Sequence, residues 1–423
     1  MNEYKLVLKL RQYTPLLHFQ GSEAGACLRA SEVKPKLDRF VLNYLEQQGT
    51  AVPESWILKS PESTGEGDSE GTVRYPALRY KMRFTTENDG RETAIHHLYF
   101  AGNMTGTAKS IFYDDGIQMT IVSLDRQRLK GCLRLYHQKV LEEPTLLELL
   151  KELLPAFFAL HGFGTRSNKG FGSFGVEGKA VSATELRQCM PQGCLAVFDL
   201  ASSTENYGMF ERLDDVYVLS AMMKGGINLS FARKPAYYKG DIQTLLPANR
   251  MGSEKAYLKQ RVFTEADKKW YLSLCRERRH EPEYHQYQFI RAMLGLTDTY
   301  TFGVGRNARK FTVKDVSGTI ERFANPIVFR PYENGILVLA NKIPDRMLGA
   351  KFQFKDSDHV ISTPEKFDVV AFTSDFLRQL NGKVKNPFWN QFYHADASIK
   401  INGKDIYFRD TLDTLQLVEE GGN

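Results

Sequence analysis

The chain has 423 residues, of which 42% are hydrophobic and 12% aromatic, so it lies outside the composition of disordered proteins and is long enough for two or three domains. Its formal net charge of +6 favours a polyanionic partner only where the cations are clustered. Five scattered cysteines and the lack of a long apolar stretch predict a cytoplasmic protein without metal, cofactor, disulfide framework or membrane partner.

The N-terminal half alternates between strand and helix patterns. Residues 5–10 alternate apolar and charged side chains and predict a strand, and the apolar spacing after about Lys36 predicts a helix that stops at Gly49. A second helix is predicted after Pro144, and Pro155 is expected to kink or end it. Further strands are predicted at LRYKMRFTT, HHLYFAG, GIQMTIVSL and FGSFGV. This order is close to the βαββαβ order of ferredoxin-like domains.

The second half repeats the order. CLAVFDL and VYVLSAM have strand patterns, EYHQYQFIRAMLG has a helix pattern, NPIVFRPYENGILVLAN predicts a hairpin over ENG, and PEKFDVVAFTSDFLRQLNG predicts a further helix. The sequence therefore predicts an α+β protein with two related ferredoxin-like domains in tandem, over residues 1–180 and 193–423.

A glycine-rich stretch follows the second predicted helix. In HGFGTRSNKGFGSFG, five glycines surround three polar residues, Arg166, Asn168 and Lys169. The Walker A pattern fails because Lys169 precedes Gly170, and the dinucleotide pattern fails because Ser167 takes the place of its third glycine. Glycines can turn consecutive N–H groups towards an anion, and the two cations would add charge. The alternative is a tight connection that binds nothing. Residues 162–175 are called the glycine loop below.

Other basic groups strengthen the case for a polyanion. One group lies near the first helix and another in GRNARKFTVK; they comprise Arg29, Lys34, Lys36 and Arg39, and Arg306, Arg309, Lys310 and Lys314. Single-stranded RNA binding combines cations with aromatic rings for base stacking. Phe163, Phe171 and Phe311 lie within or beside these groups, although each could instead belong to the core.

Histidines offer an alternative, catalytic interpretation. His161 borders the glycine loop, and His96 and His97 lie on a predicted strand, where only one of the two can face a given site. A histidine beside bound RNA could act as the general acid or base of metal-independent cleavage. A histidine at a helix end can equally be a structural cap.

These segments resemble the RAMP superfamily of CRISPR RNA-binding proteins, whose hallmark is a glycine-rich loop of the type GFGTRSNKGFGSF. YTPLLHFQGSEAGACLRASEVKPKLDRF is similar to its N-terminal strand-to-helix segment, and IERFANPIVFRPYENG to the corresponding segment of a second RAMP domain. The chain is most similar to the two-domain subunit that caps the crRNA 3′ end in Cmr-type (type III-B) effector complexes.

The resemblance implies two tandem ferredoxin-like (RRM-like) RAMP domains in a non-catalytic subunit that holds the crRNA 3′ region, target RNA or both, alongside other effector subunits. The alternative is a crRNA-processing, metal-independent endoribonuclease that uses His161 or His96. The predicted RNA-binding residues are Arg29, Lys34, Lys36, Arg39, Gly164, Arg166, Asn168, Lys169, Gly170, Arg306, Arg309, Lys310 and Arg322.

Overall fold

The computed structural model describes residues 3–17, 27–58, 76–88, 90–95, 108–205, 207–225, 251–274, 284–302, 309–354, 359–381, 398–401 and 404–418. Its α-helices are α1 (Ala30–Gln47), α2 (Leu146–Leu160), α3 (Ala183–Arg187), α4 (Met209–Gly225), α5 (Glu254–Tyr257), α6 (Glu265–Leu274), α7 (Val369–Asn381) and α8 (Phe408–Thr414). Its strands are β1 (Lys5–Gln12), β2 (Lys81–Thr85), β3 (Arg91–Ile95), β4 (Ala108–Phe112), β5 (Ile117–Val122), β6 (Cys132–Arg134), β7 (Val140–Glu142), β8 (Phe174–Val176), β9 (Cys194–Ser202), β10 (Met251–Ser253), β11 (Gln286–Gln288), β12 (Thr299–Phe302), β13 (Arg309–Asp315), β14 (Ile327–Tyr332), β15 (Gly335–Asn341), β16 (Lys351–Phe354), β17 (Val360–Ser362), β18 (Ser398–Ile401), β19 (Lys404–Tyr407) and β20 (Leu415–Leu417). The class is mixed α and β, as expected for an α+β protein.

The first sheet has the strand order β8-β1-β5-β2 and is antiparallel throughout. Leu6 and Leu10 of β1 and Met119 and Ile121 of β5 are buried, which gives the sheet one apolar face. Helix α1 packs against α2 and β2, and α2 packs against β8 and β1. In chain order these four strands and two helices read βαββαβ, and β3–β4 and β6–β7 form separate two-stranded sheets.

Helix α1 begins earlier than the sequence pattern predicts. It starts at Ala30 rather than near Lys36, so Pro35 lies inside it. An internal proline removes a helix hydrogen bond, at a cost of about 3 kcal/mol. The buried stripe that includes Val33, Leu37 and Val41 extends on both sides of the proline, and its burial offsets this cost.

Pro155 is expected to kink or end helix α2, and the helix does not end there but continues to Leu160. Nearly every residue of its second half is buried, including Leu154, Phe157 and Phe158. The surrounding core therefore holds the helix through the proline, because unwinding it there would expose several large apolar side chains.

The second sheet has the order β20-β9-β15-β14. The predicted hairpin is confirmed, since β14 ends at Tyr332 and β15 begins at Gly335. When the strands of each sheet are numbered from its own first strand, both the first and the second sheet have the order 4-1-3-2. The two four-stranded sheets therefore share one topology.

Two predicted elements of the second half are wrong. VYVLSAM lies in helix α4 rather than in a strand, because the buried residues of that helix, among them Val216, Leu219 and Met223, follow helical spacing. Short apolar runs of this kind fit both patterns. EYHQYQFIRAMLG contains β11 and a 3-10 turn at Ile290–Leu294 instead of an α-helix.

The chain forms two compact units. The first comprises Met1–Val216, Phe329–Leu339 and Phe392–Asn423, and the second Tyr217–Val328 and Ala340–Gln391. The first contains the first sheet and most of the second sheet. The second contains a six-stranded sheet in the order β10-β11-β17-β16-β13-β12, whose core includes Phe289 and Phe354. The proposed boundary at residues 180–193 stays a prediction.

The helices in the described part of the chain include none that is long and apolar enough to span a bilayer. Within the same residues, no three His, Cys, Asp or Glu side chains gather in a way that could hold a metal ion. Cys189 and Cys194 are free, buried thiols, whereas Cys132 is free and exposed.

Candidate nucleic-acid interface

The glycine loop is fixed at both ends by regular structure. Helix α2 begins with a capping box, in which the Thr145 hydroxyl accepts from the Glu148 N–H at 3.3 Å and the Glu148 carboxylate accepts from the Thr145 N–H at 2.8 Å. The helix ends at Leu160, and β8 starts at Phe174. The loop therefore leaves a buried helix and returns to the first sheet.

Four of the loop's N–H groups donate to nearby oxygens within the protein. The Phe163 N–H donates to the Gly172 carbonyl at 2.9 Å, the Gly172 N–H to the Pro15 carbonyl at 2.9 Å, and the Thr165 N–H to the Leu17 carbonyl at 2.7 Å. The Gly164 N–H donates to a Glu32 carboxylate oxygen at 2.7 Å. These groups do not form the open anion-binding concavity expected from the sequence, so contact with a polyanion falls mainly to the side chains.

Packing inside the protein requires glycine at two of the loop positions. Gly164 has φ +71°, and a Cβ there would lie 2.3 Å from the Leu17 carbonyl oxygen. Gly172 has φ +62°, and its Cβ would lie 2.0 Å from the Phe163 carbonyl oxygen. Both the backbone conformation and the space exclude a side chain. These glycines make the loop compact, and compactness brings its cations together.

Arg166, Lys169 and Arg330 carry the charge of the loop. Burial lowers the pKa of Arg166, and burial followed by the nearby Arg166 charge lowers the pKa of Lys169 to about 8. Arg330, on β14, is almost fully buried, donates to the Ser167 carbonyl at 2.6 Å, and has its pKa lowered to about 10 by burial. Asn168 is exposed between them.

Arg166 also adopts an unfavourable backbone conformation. Its φ is +58°, a region that residues with a side chain adopt rarely and at a cost of about 1 kcal/mol or more. Residues held in this way occur often at binding and catalytic sites. The position of the Arg166 side chain is thus set by the loop's fold.

Helix α1 adds cations beside the loop. The Lys36 ammonium donates to the Gly162 carbonyl at 3.1 Å and pairs with Glu32 at 3.0 Å, and it lies 4.9 Å from the centre of the Phe163 ring. Arg39, one helical turn further on, is exposed. We call Lys36, Arg39, Arg166, Lys169 and Arg330 the loop cluster.

His161 lies in the middle of these charges. Its Nδ1 atom bonds the Phe157 carbonyl at 2.9 Å, and its ring stacks on Phe157 and meets Phe40 edge-on. Burial lowers the pKa of His161 to about 3, with smaller contributions from the neighbouring cations, Arg330 first. The imidazole is therefore uncharged at neutral pH, and its ring nitrogen bonds the preceding helix turn as a structural cap would.

Comparison with known families agrees with the sequence resemblance. The model of the Cmr1 N-terminal domain matches residues 3–227, and that of the Cmr1 C-terminal domain matches residues 237–400. The chain belongs to the Cmr1 family. Membership makes it a subunit of a type III-B CRISPR effector complex, with other subunits as partners. A search of curated proteins finds no match.

Two predicted RNA contacts of this Cmr1-family chain lie at the start of α1. Lys34 has internal partners, because its ammonium bonds Asp38 at 2.6 Å and the Leu78 carbonyl at 2.8 Å and lies 4.1 Å from the Tyr80 ring centre. Arg29 is exposed at the residue before the helix. The structure thus gives Lys34 a role inside the fold, whereas Arg29 remains accessible.

The proposed stacking platforms are core residues. Phe163 and Phe171 are completely buried and Phe311 is 1% exposed. Phe163 packs against Phe158 and Phe174, and Phe311 stacks on Phe263 with ring centres 5.5 Å apart. The interpretation of these rings as base-stacking surfaces is wrong, and the Cmr1-family loop offers cations rather than aromatic faces.

The remaining predicted residues belong to the second compact unit or lie outside the described residues. Arg309 forms an ion pair with Asp267 and lies 4.6 Å from the Trp270 ring centre. Lys310 and Arg322 are exposed. Arg306 and His96 are among the residues that the structure leaves undescribed.

Sequence reasoning missed Arg330. It lies in the run NPIVFRPY, where every residue of β14 is buried, and a Cβ on Gly162 would come within 2.0 Å of its guanidinium. A single cation inside an otherwise apolar strand was the available signal, since buried charges need a specific reason. Its neighbours in the loop are more than 150 residues away along the chain.

Proposed function

We propose that this chain is a non-catalytic RNA-binding subunit of the type III-B effector, which holds the crRNA 3′ region, target RNA or both at the loop cluster. One observation carries the proposal: several cations are gathered at the glycine loop, where burial lowers the pKa of Lys169 and Arg330 and the Arg166 charge lowers that of Lys169 further. A site of this kind is stabilised by an anion.

The lowered pKa values within the cluster support phosphate as that anion. Glu32 pairs with Lys36 and also accepts from the Gly164 N–H, so its charge is shared between two donors. A phosphate would accept hydrogen bonds from guanidinium and ammonium groups and offset both the desolvation and the repulsion. Because RNA backbones present phosphates repeatedly, they suit a row of cations better than a small anion does.

The topology supports the finer fold assignment within this proposal. The two four-stranded sheets share the order 4-1-3-2, which fits two tandem ferredoxin-like RAMP domains over residues 1–180 and 193–423. The cytoplasmic location belongs to the same proposal, since the RNA partners of such a complex are found there.

The direct test compares Arg166→Gln/Lys169→Gln with wild type for binding to labelled single-stranded RNA across a salt series. We expect the affinity for RNA to fall about tenfold, because the two partly buried ion pairs that Arg166 and Lys169 would form with RNA phosphates are lost. The slope of log affinity against log salt should become shallower by about 1.4, since each lost single-strand phosphate contact removes about 0.7.

Lys130→Gln/Arg134→Gln is the matched control, because it removes one exposed lysine and one exposed arginine from the same unit. The same samples run on a denaturing gel test the alternative function. Cleavage without metal that disappears in His161→Ala would replace the proposal with a processing nuclease. Equal binding by wild type, the loop variant and the control would also contradict it.

A pH dependence follows from the pKa of Lys169. With a pKa of about 8, the side chain is cationic below pH 8 and neutral above it, so RNA affinity should fall from pH 7 to pH 9 by up to about tenfold. Lys169→Arg keeps its charge throughout this range, and its affinity should stay level. Fluorescence anisotropy at the two pH values measures both proteins; parallel declines would show that another group titrates.

A further inference from the structure

The first sheet has a second face, away from its apolar one, that is open to solvent. In β1, Leu6 and Leu10 are buried, whereas Lys5, Val7 and Lys9 are exposed. Val7 is 44% exposed, so none of the residues that the structure describes covers the strand here. Buried residues alternate in the same way with more exposed ones in β5, and Lys81 and Arg83 are the exposed residues of β2.

The strand register arranges cations on both sides of this face. Lys5 pairs with Val122 of β5, which pairs in turn with Lys81 of β2. Thr120, the next outward residue of β5, pairs with Arg83. Neighbouring strands lie about 4.8 Å apart, so the cations of β1 and β2 flank the uncharged row of β5 at a separation of about 10 Å. We call this surface the basic sheet face.

Carboxylates accompany the cations at both ends of the face. Lys9 forms an ion pair with Glu177 at 3.6 Å, and Glu87 and Asp115 line a shallow cavity with Lys9 and Gln118. The other end carries the cations of β1 and β2 on either side of Val122, and Glu3, two residues before Lys5, forms an ion pair with Arg126 at 3.3 Å. Arg126 therefore offsets the charge of Glu3 at this end.

We propose that the basic sheet face binds the phosphate backbone of one RNA strand lying along β5. The spacing across β5 admits a single strand between the cations, and the side chains of Thr120 and Gln118 can donate hydrogen bonds to phosphate or ribose oxygens. RNA-binding sheets that read sequence present aromatic rings for stacking. The outward row of β5 consists of Gln118, Thr120 and Val122, so the contact is to the backbone and is independent of sequence.

RNA as the ligand rests on the proposed function, but the surface is separate from the loop cluster. The test is Lys81→Gln/Arg83→Gln in the full chain, with a fluorescein-labelled oligouridylate as the probe. We expect about fivefold weaker binding, the effect of two exposed ion pairs, and a salt slope shallower by about 1.4. Both residues are exposed, so the fold should be unaffected, which circular dichroism checks.

Lys130→Gln/Arg134→Gln again serves as the control, because it removes the same charge from the β6 region and should bind like wild type. Suppose that Lys81→Gln/Arg83→Gln also binds like wild type while Arg166→Gln/Lys169→Gln binds more weakly. The proposal for the basic sheet face is then overturned, whereas the proposed function of the loop cluster stands. An acidic protein surface then becomes the occupant of the face to consider. If only the sheet variant is weakened, the basic sheet face stands and the loop site fails. If neither variant loses affinity for RNA, the basic sheet face and the proposed function of the loop cluster are both overturned.

Discussion

Gly172→Ala is expected to destabilise the protein by about 4 kcal/mol and to remove RNA binding at the glycine loop. The added Cβ would lie 2.0 Å from the Phe163 carbonyl oxygen, which is inside van der Waals contact with backbone rather than with a movable side chain. Overpacking of this kind costs about 1–3 kcal/mol. The φ of +62° adds about 1–2 kcal/mol for a residue with a side chain.

The chain provides a matched control for this glycine. Gly178 has φ +69°, but nothing lies within 4 Å of a Cβ built on it. Gly178→Ala should therefore cost only the backbone term of about 1–2 kcal/mol. The free energies of unfolding of the two variants, measured in urea, separate the cost of the steric contact from the cost of the positive φ. Equal losses in both would mean that the close approach of Gly172 to Phe163 does not constrain the loop.

Arg330→Met is expected to weaken RNA binding about thirtyfold without destabilising the free protein. The lowered pKa of Arg330, about 10, means that keeping this guanidinium charged and buried costs about 3 kcal/mol. Losing its hydrogen bond to the Ser167 carbonyl costs about 1–3 kcal/mol. These terms nearly cancel, and a similar-sized apolar side chain often replaces a buried charge without loss of stability.

The loss of binding comes from the field of the buried charge. A phosphate about 8 Å from the guanidinium interacts with it by about 2 kcal/mol at an effective dielectric constant of 20, which corresponds to about thirtyfold in affinity. Arg330→Lys keeps the charge and should bind more tightly than Arg330→Met. Melting temperature and anisotropy are measured together, with exposed Arg134→Met as the control.

Two results would contradict this account of Arg330. A large drop in melting temperature with unchanged RNA affinity would make the residue a structural support for Ser167. Equal affinities of Arg330→Lys and Arg330→Met would show that its charge does not reach the ligand. The expected result instead describes a residue kept for binding and close to neutral for stability.

The sequence by itself determined the elements whose signals are local. The alternation of residues 5–10 predicts β1, Pro144 and the apolar run after it predict α2, and ENG predicts the turn between β14 and β15; all three are present. The sequence also located the glycine loop and its two cations, because glycine content and charge can be read within a few residues.

Tertiary structure alone decided how those elements meet. Burial kept α1 and α2 intact through their prolines and made a helix of VYVLSAM, since the same apolar residues satisfy two periodicities until a neighbouring layer selects one. The tertiary structure also made Phe163 and Phe171 core residues and brought Arg330 within hydrogen-bond distance of the Ser167 carbonyl. Pairing between residues so far apart in the chain depends on packing of the whole unit, which leaves no local pattern to read.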